Sequence, residues 1–132
     1  MRHAIVTGYS SGIGQAITHH LLNNGWKVTG LSRTQGEMAS PNLNWVAVDL
    51  TDAEQLKSVI STLGTPDALI HAAGMMVAAP LGELDSAAGA RLWSLHVQAA
   101  EVLVNHFVPM MQPGSRIVII GSRTSRGAAN RS

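Results

Sequence analysis

Short β-branched apolar runs alternate with longer segments of helical period along the whole chain, and this alternation leaves few folds open. His3–Thr7 predicts a first strand, and residues 12–24 a helix with Ile13, Ala16, Ile17 and Leu21 on one face. Asn23-Asn24-Gly25 supplies residues suited to a left-handed turn at its end. Trp26–Leu31 and, after a loop holding Pro41, Trp45–Val48 read as the next two strands. Thr51-Asp52-Ala53-Glu54 has the form of a capping box and starts a helix predicted over residues 52–63. Asp67–Ala72 reads as a fourth strand, Ser86–Met111 as a long helix and Ile117–Ile120 as a fifth strand.

Consecutive strands joined through helices run parallel, with right-handed crossovers. The expected fold is therefore α/β: a Rossmann-type doubly wound parallel sheet with helices on both faces, formed by residues 1–132 as one domain. The runs Ala4-Ile5-Val6, Ala68-Leu69-Ile70 and Ile117–Ile120 are continuously apolar, as strands buried on both faces are. Ligands of such sheets bind beyond the carboxyl ends of the strands. The loops at residues 8–12, 32–36, 49–51, 72–80 and from 121 onward are thus expected to share one crevice.

Composition narrows the partners. The chain is 45% apolar and 13% charged with a formal net charge of +1, enough for a globular core and no basis for nucleic acid or a membrane surface. Arg116, Arg123, Arg126 and Arg131 fall close together and read as a solvated loop. Cysteine is absent, and His19-His20 and His106 lack the spacing of metal ligands, so no metal is expected. With no charged leader and no apolar stretch of membrane length, a soluble cytoplasmic protein is the expectation.

The first strand-to-helix loop, Thr7-Gly8-Tyr9-Ser10-Ser11-Gly12-Ile13-Gly14, carries the most chemistry. Its glycines permit backbone geometry that can approach a pyrophosphate, and the amides at the helix start attract negative charge. Gly12 and Gly14 would also let helix and strand pack closely. A tight turn without ligand is the plain alternative; placement inside a β-α-β unit favours dinucleotide binding. A P-loop would need Gly-Lys-Ser/Thr where this chain has Gly14-Gln15-Ala16.

Thr-Gly-x-x-x-Gly-Ile-Gly resembles the cofactor loop of the short-chain dehydrogenases/reductases, and the resemblance runs the length of the chain. Asp49-Leu50 is similar to the family's adenine-contacting pair and His71-Ala72-Ala73-Gly74 to its Asn-Ala-Gly signature. Ile120-Gly121-Ser122 resembles the strand end bearing its catalytic serine. In this fold an acid at the end of the second strand holds the ribose of NAD, and an arginine accommodates the phosphate of NADP. Here the position reads Leu31-Ser32-Arg33, with no carboxylate until Glu37. A guanidinium can clamp the phosphate with two charge-assisted hydrogen bonds, helped by the Ser32 hydroxyl, so NADP is expected ahead of NAD. The missing acid also argues against an S-adenosylmethionine methyltransferase.

The resemblance implies reduction of a carbonyl, or oxidation of an alcohol, on a small molecule. In that family a serine hydrogen-bonds the substrate oxygen, a tyrosine is the acid, and a lysine four residues later lowers its pKa. Ser122 fits the first role. Tyr9 is the only tyrosine, and neither Lys27 nor Lys57 stands four residues after it. The expectation is therefore an N-terminal portion, incomplete at its C-terminal edge, that ends before the Tyr-x-x-x-Lys motif and is inactive alone. His71 stands where the family usually has asparagine, and His96 occupies the helix position of the asparagine completing its catalytic tetrad. An imidazole there can shuttle protons, the alternative being a hydrogen-bonded core histidine. The long helix around Leu92–Phe107 is the family's usual dimer face, so a homo-oligomer, dimer or tetramer, is expected. Two other functions stay open: a non-catalytic dinucleotide-binding sensor, which has no need of Ser122, and an interaction fragment whose fifth strand docks a partner. An exposed apolar fifth strand would leave the isolated chain unstable or associated.

Overall fold

The computed structural model describes residues 1–10, 12–33, 35–36, 39–72 and 86–120, with the backbone alone at 86–93 and 95. In chain order the elements are β1 (His3–Thr7), α1 (Gly12–Asn23), β2 (Lys27–Ser32), β3 (Leu43–Ala47), α2 (Ala53–Ile60), β4 (Ala68–His71), α3 (Ser86–Phe107), a 3-10 turn (Val108–Met110) and β5 (Arg116–Ile119). The strands form one parallel sheet in the order β3-β2-β1-β4-β5. Chain order therefore reverses between β1 and β4, and the crevice opens beyond their carboxyl ends.

Strand alternation decides which side chain meets which layer. Ile5, Leu31 and Leu69 join Leu56 and Ile60 of α2 and Ala99, Leu103 and Phe107 of α3 in one core. Their neighbours Ala4, Val6, Val28, Ala68 and Ile70 pack with Tyr9 and with Ile17 and Leu21 of α1 on the opposite face. Each fully buried leucine or isoleucine contributes about 1.5–3 kcal/mol, so these two layers hold β1 and β4 in place. On α1 the inward face is narrower than the sequence suggests. Ile17 and Leu21 pack on the sheet, while Ile13 is 47% exposed and Ala16 is exposed.

β5 is the exposed apolar strand expected at this side of the sheet, and not one buried on both faces as its continuous apolar run alone would suggest. Ile117, Val118 and Ile119 are 40%, 44% and 47% exposed. An edge strand has a neighbour on one side only, and an apolar sequence cannot by itself supply a cover.

The helix ends follow local chemistry. After α1, Gly25 takes φ 83°, with Trp26 N–H donating to Leu21 O at 3.0 Å and Gly25 N–H to Leu22 O at 3.2 Å, the predicted left-handed closure. At α2 the cap is Asp52 rather than Thr51: its carboxylate accepts Gln55 N–H at 3.1 Å. The capping box read on Thr51 and Glu54 does not form, since Gln55 instead accepts Asp49 N–H and Glu54 pairs loosely with Lys57 at 3.8 Å. α3 stops at Phe107 rather than at residue 111, because Pro109 has no N–H to continue the ladder. Among the described residues no helix is long and apolar enough to cross a membrane.

Candidate functional site

Beyond β1 the chain turns through Gly8 (φ 68°) and Gly12 (φ 56°), conformations that a side chain disfavours. A β-carbon on Gly12 would meet nothing within 4 Å, so this backbone borders open space at the start of α1. Gly14 serves differently: a β-carbon there would overlap the carbonyl oxygen of Gly8. Gly8 N–H donates to Leu31 O at 2.9 Å, which ties the loop to β2. The result is a glycine turn leading into the start of α1, where the first backbone amides of a helix have no intrahelical acceptor and suit an anionic group. Ser10 is half-buried and Ile13 exposed in this turn; Ser11 lies outside the described residues.

Tyr9 departs from its expected role as a cofactor contact. Its side chain is fully buried, and a β-carbon on Gly30 would come within 2.5 Å of its ring. The phenol oxygen accepts Gly36 N–H at 2.9 Å. Only the backbone of Tyr9 is left to the crevice. Nothing in the local sequence signals this, because the space for the ring is provided by a glycine, Gly30, in a distant strand.

At the ends of β2 and β3 the expected Ser32 and Arg33 clamp divides. Ser32 is 7% exposed and its hydroxyl oxygen accepts the Trp45 indole N–H at 3.1 Å. Arg33, next along the chain, is exposed. Asp49 accepts Thr51 N–H at 3.0 Å and the Thr51 hydroxyl at 2.7 Å. These bonds hold its carboxyl below the ordinary value, with a smaller contribution from the Arg33 cation. Leu50 packs against the α2 and α3 core, so what it can offer a ligand is backbone.

The third constellation sits where β1 meets β4. His71 Nε2 lies 3.0 Å from the backbone carbonyl of His96, which can only accept, so this nitrogen carries the proton. In the neutral ring Nδ1 is then an acceptor, and the Thr7 hydroxyl, 2.7 Å away, donates to it. Thr7 Oγ1 in turn accepts Ala72 N–H at 3.0 Å. The His71 and His96 rings stack at 4.3 Å with 15° between their planes. Burial pushes the His71 pKa down to about 4, the bond to His96 O opposes this, and the His96 ring adds to the lowering. His71 is thus a neutral, locked ring. His96, 4% exposed, is brought to the same strand end as part of this packed layer. Sequence reading put both histidines near the crevice but could not see that they touch.

Ala72 is buried at the end of β4, and Ala73, Gly74 and Ser122 lie outside the described residues. No group of three or more His, Asp or Glu among the described residues could hold a metal ion. The crevice therefore presents a glycine turn, a helix start and an exposed guanidinium along one edge. Those features fit the pyrophosphate and adenosine end of a dinucleotide.

Known proteins carry the same plan. Residues 2–131 match the profile of the short chain dehydrogenase family. L-xylulose reductase of Bos taurus is 28% identical over 140 residues, covering 99% of this chain and 57% of that protein. D-erythrulose reductase of Gallus gallus is 26% identical over 136 residues, covering 96% and 55%. The chain thus spans about half the length of the curated relatives it matches. A short chain dehydrogenase family protein from Francisella tularensis superposes with a TM-score of 0.75 at 25% identity, over 92% of this chain and 51% of that one. A blue fluorescent protein from a metagenomic library, in complex with NADPH, gives a TM-score of 0.72 at 26% identity over 98% and 59%. A Leptospira borgpetersenii short chain dehydrogenase with bound NAD+ gives a TM-score of 0.70 over 83% and 45%; at 21% identity it attests the fold alone.

Proposed function

The chain belongs to the short-chain dehydrogenase family, and from that premise we propose that residues 1–132 form the dinucleotide-binding domain of an NADP-dependent oxidoreductase. The substrate is a small carbonyl compound or alcohol, as the names of the xylulose and erythrulose reductases suggest. The observation that carries this reading is the exposed Arg33 at the end of β2, with no acid beside it on the strand and the glycine turn alongside. The NADPH complex of the metagenomic protein is consistent with it.

Bound there, NADPH supplies the hydride. The chain's own contribution begins with the backbone of Gly8, Gly12 and Gly14 and the first turn of α1, which would hold the pyrophosphate. Arg33 would pair with the ribose phosphate. Ser122 is assigned to the substrate oxygen, which it would polarise by hydrogen bonding. His96 is assigned to the proton-relay position, and its stack on His71 supports a role that fixes the layer behind the reacting atoms. A homo-oligomer through the outer face of α3 belongs to the same reading.

The test is a titration with NADPH and NADH, followed by nicotinamide fluorescence. Binding of NADPH at least about tenfold tighter is expected from one bidentate charge-assisted contact. Equal binding of both, or tighter binding of NADH, would overturn the cofactor assignment.

A further inference from the structure

We propose that Tyr9 is a positioning residue for cofactor selectivity: by holding Gly36 it sets the loop that presents Arg33 to the ribose phosphate. This rests on the reading of Arg33 as the phosphate-binding cation.

The geometry makes one unit of two loops. Gly8 N–H bonds Leu31 O at 2.9 Å, just before Arg33, and the Tyr9 phenol accepts Gly36 N–H at 2.9 Å, just after it. The exposed Arg33 therefore lies in sequence between two residues, Leu31 and Gly36, each hydrogen-bonded to the glycine turn. The pinning is close-packed as well as polar. A β-carbon on Gly36 would stand 3.0 Å from Ser10 Cβ and 3.5 Å from the Tyr9 ring, and one on Gly30 would strike that ring at 2.5 Å. The Tyr9 ring fits because position 30 lacks a side chain, while the absence of one at position 36 leaves room for Ser10. The buried phenol has an alternative that would keep the core and lose the bond, namely phenylalanine. Its hydroxyl thus answers a requirement of the loop rather than of the core.

The experiment compares two ligands that differ only by the phosphate, 2′,5′-ADP and 5′-AMP, by calorimetry on the full chain. Tyr9→Phe keeps the ring and removes the acceptor. It should weaken 2′,5′-ADP about fivefold, the scale of one lost hydrogen bond, and leave 5′-AMP within about twofold. Gly36→Ala, which crowds Ser10 from the other side, should produce the same selective loss and decides the matter if Tyr9→Phe does not fold. Where the unmodified chain prefers 2′,5′-ADP but neither variant changes the ratio, or both ligands weaken alike, the positioning role is overturned. Where the unmodified chain shows no preference, the reading of Arg33 fails first.

Discussion

Two polar constellations lie along the same edge of the sheet and behave in opposite ways. Where β1 meets β4, Thr7, His71 and the His96 carbonyl form a directed chain of hydrogen bonds in a buried layer. Where β2 and β3 end, Arg33 is exposed and Asp49 is half-exposed above a turn that it caps itself. The first resembles the second on paper, since both are runs of titratable residues after a strand. The difference teaches that a charge or proton donor near a crevice is available to a ligand only where the protein has not already answered it. Changes in the closed constellation should alter stability, and changes in the open one should alter which ligand is held.

The largest effect is expected at His71. Replacing it by alanine removes a buried ring, a stack and two hydrogen bonds, and should cost about 3–4 kcal/mol in urea unfolding. The ratio of NADPH to NADH affinity should stay the same; a change in that ratio would break the comparison.

Acid should act through the same ring. His71 is neutral in the fold with a pKa near 4, whereas in the unfolded chain it takes up a proton below about 6.5. The unfolded state then binds more protons between those values, so stability is full above pH 6.5 and falls as pH drops towards 4, by about 3 kcal/mol. His71→Asn should remove this part of the slope, as unfolding curves at pH 7 and pH 4.5 would reveal.

At the open end the consequence is recognition. Arg33→Asp should lower NADPH affinity relative to NADH by about tenfold to a hundredfold, while unfolding free energy moves by less than about 0.5 kcal/mol, as for an exposed side chain. A large loss of stability would mean that Arg33 belongs with the closed group.

Trp45→Phe gives the smallest and sharpest contrast. It removes the indole donor to Ser32, a residue of β2 read as part of the phosphate clamp but found buried. A loss of about 1 kcal/mol with unchanged cofactor preference would confirm that Ser32 sides with the closed region although its neighbour does not.

Much of the fold was legible because its signals are local. Short, mostly continuous apolar runs and helices with period 3.6 alternate, and parallel crossovers satisfy that order. Gly25 marks its turn by its own backbone chemistry, whereas the stop at Pro109 is missed by the pattern that carries the long helix on to Met111. The glycine turn was legible in the same way, since the positive φ of Gly8 and Gly12 and the close approach at Gly14 follow from their spacing, as does the exposed place of Arg33 after a strand.

What lay beyond the sequence depends on residues distant along it. Whether Tyr9 faces ligand or core was decided by the absence of a side chain at Gly30. That the His71 ring is neutral was decided by its burial, and its tautomer by a carbonyl 25 residues away on α3. The sequence by itself determined the order of elements and the position of the glycine turn, since steric and periodic rules act between near neighbours. Only the tertiary structure decided which polar groups are left for a ligand, since burial and hydrogen-bond partners are properties of the packed layers.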